Sequence, residues 1–248
     1  MSRILRTVTS VDGLVTKENG MRGLRCTVLA VLAIALCSAP VAIAQGPHEH
    51  GGVAAAPVHK VAGLSGGELW GEVWAQDLSH PGTFSGSCIP LGSKGRVLAP
   101  IPGPDFTASC NAKPGTPLFF VFGSECSDVE EPPFFGDDEE AQRACAVAAD
   151  EFFVAASITV DNGRTVDMLS PRFELISPQR TVELPADNVF GVPPQTATFV
   201  AHGWGALVRG LRPGEHTITV EVTTMDVAEP TATFTAFINI IPGGHSHN

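Results

Sequence analysis

The chain has 248 residues, 44% of them apolar and 17% charged, with 26 acidic side chains against 15 basic ones and a formal net charge of -11. That length suits one domain or two small ones, and the apolar share is ample for a packed core. Such acidity repels phosphate backbones and anionic lipid, so nucleic acid is excluded as a natural partner.

The first element in chain order is a leader. Residues 26 to 36 (CTVLAVLAIAL) are an unbroken apolar run, preceded by Arg22 and Arg25 and followed by Ala42-Ile43-Ala44 before Gln45. A positive start, a short apolar stretch and an A-x-A exit make a secretory signal peptide, and the run is too short to span a bilayer. Residues 1 to 44 are expected to be lost on export, and Met21-Arg22 stands where a leader of ordinary length begins. Cys37 does not read as a lipid anchor, because Leu36 precedes it where a lipobox requires a small residue. The leader holds Arg3, Arg6, Lys17, Arg22 and Arg25 against Asp12 and Glu18, so its removal leaves a more acidic protein, secreted and without a membrane segment.

Residues 45 to 64 are rich in Gly, Ala, Pro and His without periodicity and read as a flexible linker. His48 and His50 lie in it, and His245 and His247 lie in a tail over 242 to 248. Imidazoles so spaced can hold Zn²⁺ or Cu²⁺ weakly, and no other cofactor is indicated; tails without metal function are the plainer reading.

Ordered structure is expected over 65 to 241. Ser65 with Glu68 matches a capping box, and Leu69, Trp70, Val73, Trp74 and Leu78 recur at helical spacing, which makes the tryptophan pair a core plug. Residues 96 to 99 read as a short strand. The run 118 to 122 (LFFVF) is too short for a buried helix and reads as an interior strand, with Pro117 at its start. Residues 126 to 145 carry seven carboxylates. No EF-hand spacing is present, and Asp137 with Glu140 reads as the cap of a short helix whose apolar face is Ala141, Ala144, Cys145 and Ala148.

Asn162-Gly163 between two β-rich runs predicts a type I′ hairpin over 155 to 167. Further strands are predicted over 172 to 176, 181 to 184, 196 to 201, 204 to 209, 217 to 222 and 231 to 241, with Pro and Gly marking the breaks. In the last pair, Pro213-Gly214 delivers the chain into a strand with His216, Ile218, Val220 and Val222 on its buried face. The implied fold is mainly β: a two-sheet antiparallel sandwich, Ig-like or jelly-roll-like, with two short peripheral helices.

Four cysteines remain after the leader: Cys88, Cys110, Cys126 and Cys145. An even number in an exported chain indicates a disulfide framework; four allow three connectivities, of which sequential pairing is the expectation. No C-x-x-C spacing suggests zinc, and no G-x-S-x-G or H-E-x-x-H suggests a hydrolase, so no catalytic residue is nominated. His202 and His216 would form a cleft if their strands pair, and a carboxylate beside them would favour a hydrolase of unfamiliar type. The leading expectation is a non-catalytic binding or structural module of the cell envelope or extracellular space, with a protein or glycan partner.

Cys110, Lys113-Pro114-Gly115-Thr116, Cys126-Ser127, Val160-Asp161-Asn162-Gly163, Ser177-Pro178, Asp187-Asn188-Val189-Phe190 and Leu211-Arg212-Pro213-Gly214-Glu215-His216 occur in that order. As a set they resemble a family of secreted bacterial proteins of unknown function. Arg exceeds Lys, and Ala, Gly and Val are abundant, as suits a high-GC actinobacterial host. The resemblance implies export and a β-sandwich, and it brings no site residue.

Overall fold

The computed structural model describes residues 55–226 and 230–242. The elements are β1 (Ala55–Pro57), α1 (Gly66–Ser79), β2 (Cys88–Leu91), β3 (Val97–Pro100), β4 (Thr107–Ala112), β5 (Leu118–Ser127), α2 (Glu139–Ala149) and β6 (Phe153–Val160). They continue as β7 (Val166–Asp167), a 3-10 turn (Pro171–Phe173), β8 (Glu174–Ile176), β9 (Arg180–Leu184), β10 (Gln195–Val208), β11 (Gly214–Thr224) and β12 (Thr231–Ile240).

The LFFVF run forms the interior strand that its composition predicts, and β5 extends from it to Ser127. One sheet has the order β1-β10-β5-β3-β2, with β8 and β9 also paired to β10; the other has the order β4-β12-β11-β6-β7. Successive phenylalanines of β5 serve two cores, as the pleat requires. Phe120 and Phe122 meet Ile158, Ile218, Val220 and Ile238 between the sheets. Phe119 points the other way, to Trp70, Trp74 and Leu78 of α1.

The two-sheet sandwich is as expected, but its strands are not all antiparallel. β3 pairs with β5, and β4 with β12, in parallel. The chain leaves β3 for the opposite sheet as β4 and returns as β5, so the strands before and after the excursion lie side by side in one direction.

Helix α1 lies outside the two sheets and packs on the outer face of the seven-stranded one. Its tryptophans, with ring centroids 5.4 Å apart, are buried as the plug, and Trp70 Nε1 donates to the His202 carbonyl at 2.8 Å. The capping box forms as written: the Ser65 hydroxyl accepts from the Glu68 amide, and the Glu68 carboxylate accepts from the Ser65 amide. Gly67 lets the helix lie directly on β8, where a Cβ would fall 2.0 Å from the Ile176 carbonyl oxygen.

Four local expectations are corrected. The segment read as a linker up to 64 contains β1, which pairs with the edge of β10 and, with Val58 and Val61, is partly buried. The α2 cap is Asp138, whose side chain accepts from the Ala141 amide, and the buried stripe is Gln142 and Ala146. In the hairpin the left-handed residues are Asp161 and Asn162, closed by the Gly163 amide on the Val160 carbonyl, one position earlier than an Asn-Gly turn. The strands read separately at 196 to 201 and 204 to 209 are one, β10, because Gly203 extends rather than breaks it.

Both disulfides pair sequentially. Cys88–Cys110 joins β2 at the edge of one sheet to β4 at the edge of the other, and Cys126–Cys145 ties β5 to α2.

Candidate functional site

Strand β10 sets His202 opposite Ser124 of β5 and Ile176 of β8. Next to it Gly203 faces Gly123, both at positive φ (+157° and +146°), and a Cβ on Gly123 would lie 2.2 Å from the His202 carbonyl oxygen and 3.0 Å from Asp150 Oδ2. The glycine pair thus opens the space that Asp150, capping the C-terminus of α2, enters. His202 Nδ1 meets Asp150 Oδ2 at 2.7 Å, and its Nε2 meets Glu174 Oε1 at 3.2 Å. His202 and Asp150 are buried, whereas the Glu174 side chain reaches solvent.

Burial works against the imidazolium, but the hydrogen bonds and charges of Asp150 and Glu174 outweigh it and hold the His202 pKa above the ordinary value. Burial also raises the Asp150 pKa, against the pull of His202 and Ser124. Ser124 stands near enough to favour the charged carboxylate, yet its hydroxyl and Asp150 Oδ1 do not meet in a well-formed hydrogen bond. Both ring nitrogens of His202 are engaged, so the arrangement is a clamp joining α2, β10 and β8.

His216 forms a second clamp. Its Nδ1 meets Asp161 Oδ2 at 2.6 Å and its Nε2 donates to the Arg212 carbonyl at 2.7 Å. A carbonyl only accepts, so Nε2 carries a proton and Nδ1 is the nitrogen that faces the carboxylate. Burial again opposes the charge, and Asp161 with the Arg212 carbonyl overcomes it, raising the pKa. Asp161 Oδ1 also accepts from the Thr217 amide, which fastens the 161–162 turn to the start of β11.

The two histidines do not share a cleft. β10 pairs with β1, β5, β8 and β9, while β11 pairs with β6 and β12 in the other sheet. Each histidine has its own carboxylate, and sequence reasoning missed both Asp150 and Asp161. A signal for the first was present: Asp150 continues the 142, 146 stripe of α2 at four-residue spacing.

An open feature lies on the outer side of the five-stranded sheet. Phe237 of β12 is paired with Ser109 of β4 and Thr217 of β11, and the next outward row is Asn111, Asn239 and Glu215. The Phe237 side chain is 48% exposed although Ala236 and Ile238 on either side are buried. These residues, with part of His216, line a shallow concavity of about 430 Å³. Trp204, by contrast, is half-buried and stacked on Phe122 with centroids 5.5 Å apart. Nothing in the sequence separated Phe237 from the core residues around it except its place in the alternation.

Among the described residues no group of three or more His, Cys, Asp or Glu is arranged to hold a metal ion, and no helix is long and apolar enough to cross a membrane. The tail residues His48, His50, His245 and His247, and the leader, lie outside the described residues. No protein-family model and no curated protein matches the chain. A solved structure similar to part of it is the solution structure of Amebosin, at 9% identity and a TM-score of 0.23, covering 58% of this chain and 96% of that one. A likeness of that size carries nothing about fold or function.

Proposed function

We propose that the protein is an exported, disulfide-stapled sandwich that binds an extracellular or cell-envelope glycan through the outer face of its five-stranded sheet. The observation that carries this reading is Phe237, an exposed ring in a row of hydrogen-bonding side chains supplied by three adjacent strands. The C–H face of a sugar ring stacks on such a ring, while Ser109, Asn111, Thr217 and Asn239 can exchange hydrogen bonds with its hydroxyls. The histidine–carboxylate pairs support a non-catalytic role, because their ring nitrogens are taken up by the protein itself. Two disulfides suit an oxidising compartment and fit the signal peptide read from residues 1 to 44 and the resemblance to secreted proteins.

Affinity electrophoresis against a panel of soluble polysaccharides tests the proposal. Retardation by at least one polymer, abolished by Phe237→Ala with the melting temperature unchanged, is the expected result. Unretarded migration in every polymer rejects it.

A further inference from the structure

We infer that the ligand is an acidic polysaccharide whose carboxylates sit in a cationic groove continuous with the Phe237 face; this rests on the glycan reading above. The groove encloses about 860 Å³, and its lining includes Lys94, Arg96 and Lys113 but no Asp or Glu. In a chain with 26 acidic side chains against 15 basic ones, three cations gathered without a carboxylate make a local reversal of sign. The net-acidic protein repels polyanions elsewhere, so a local reversal of sign favours an anionic ligand here.

The groove and the sugar face are joined in sequence and in space. Asn111 lines both concavities. Along β4 the outward positions Ser109 and Asn111 are followed by Lys113, and along β12 Phe237 and Asn239 are followed by Ile241, which is 45% exposed and forms part of the groove. Ser109 and Lys113 are four residues apart, about 13 Å of extended chain, so a ligand stacked on Phe237 reaches the lysine within a few sugar units.

The far rim is held in place. Lys94 and Gly95 are both left-handed (φ +66° and +59°), and a Cβ on Gly95 would press on Pro90 at 2.9 Å. Arg96 donates to the Ala62 carbonyl and the Ser93 hydroxyl, which orients its guanidinium at the rim. Glu215 lies on β11, two strands across from the β4 edge that leads into Lys113, where it can accept from sugar hydroxyls. A sugar acid fits this layout better than a phosphodiester of open-chain polyols, which has no ring to place on Phe237.

The test measures binding of the purified protein to polygalacturonate, to the same polymer with its carboxylates methyl-esterified, to a glycerol-phosphate polymer and to a Glu-rich peptide. Binding to polygalacturonate should weaken with added salt and fall at least about tenfold in the doubly substituted Lys94→Glu, Lys113→Glu protein, with the melting temperature as a check on folding. Equal affinity for the esterified polymer, or indifference to the double substitution, overturns this inference and leaves the Phe237 face standing. Preference for the phosphate polymer or the peptide, unaffected by Phe237→Ala, overturns it as well. Failure to bind any polysaccharide rejects both this inference and the glycan reading.

Discussion

The two sheets treat polar side chains in opposite ways. The seven-stranded sheet is covered on both faces, by α1 on one and by the second sheet on the other, and several of the polar groups caught inside it are locked to one another, as His202 is to Asp150 and Gln142 to the Thr198 hydroxyl. The five-stranded sheet is covered on its inner face, and its outer row of Ser109, Asn111, Thr217 and Asn239 faces the space around an exposed Phe237. Burial thus decides what a polar residue does here. Enclosed, it must be paired and becomes structure; outside, it remains available to a ligand.

Changes in the covered sheet should break the fold, and changes on the open face should break binding alone. The largest effect is expected from Gly123→Ala. Its Cβ would collide with the His202 carbonyl and the Gly203 Cα from a backbone conformation that alanine rarely adopts, so the variant should fail to accumulate as folded protein, as read by circular dichroism. Asp150→Ala leaves His202 buried beside an empty site and should cost about 3 to 5 kcal/mol in chemical denaturation. Asp161→Ala, in a pair whose carboxylate is open to water but whose histidine is largely covered, should cost less, about 1 to 2 kcal/mol, part of it from the lost Thr217 amide bond. Equal losses at the two aspartates would contradict the contrast between the sheets.

Replacing Cys126 and Cys145 with serine opens a loop with a sequence separation of 19 and frees the helix that carries Asp150, and a loss of about 2 to 4 kcal/mol is expected. The pH profile gives a smaller effect. His202 and His216 both have folded pKa values above 6.5, so the stability they confer is full below 6.5 and declines as pH rises through the higher folded values. Asp150, raised by burial, has the same sign, but its contribution is full below 3.8 and begins to be lost above it, before the histidines titrate. Denaturation midpoints should therefore decline as pH rises above 6.5, and His202→Gln should flatten that decline more than His216→Gln does. The smallest change in stability, within about 0.5 kcal/mol, is expected for Phe237→Ala, which should nevertheless abolish glycan binding.

Much of the local structure could be read from residue order alone. Alternation in 216 to 222 gave a strand with Ile218 and Val220 inward, a capping box gave the start of α1, and an even set of cysteines gave a disulfide framework. These signals are short-range: they depend on which face a side chain takes within a few residues, and that follows from backbone geometry. The site was less legible. His202 and His216 were noticed, but their partners Asp150 and Asp161 are 52 and 55 residues away; only the four-residue spacing of Asp150 after Gln142 and Ala146 hinted at one of them, and nothing local pointed it at His202.

What the sequence determined by itself was therefore most of the strands from β5 onward, the buried side of β11 and a chain built for two bridges, whereas β1, β2 and β4 carried no pattern that marked them as strands. The tertiary structure decided which strands run in parallel, that α1 covers a sheet, that the two histidines part company, and that Phe237 stays outside. Those outcomes depend on which sheet each strand joins, and that choice is made by contacts between residues far apart in the chain, where packing a shared core outweighs the preference of any single segment.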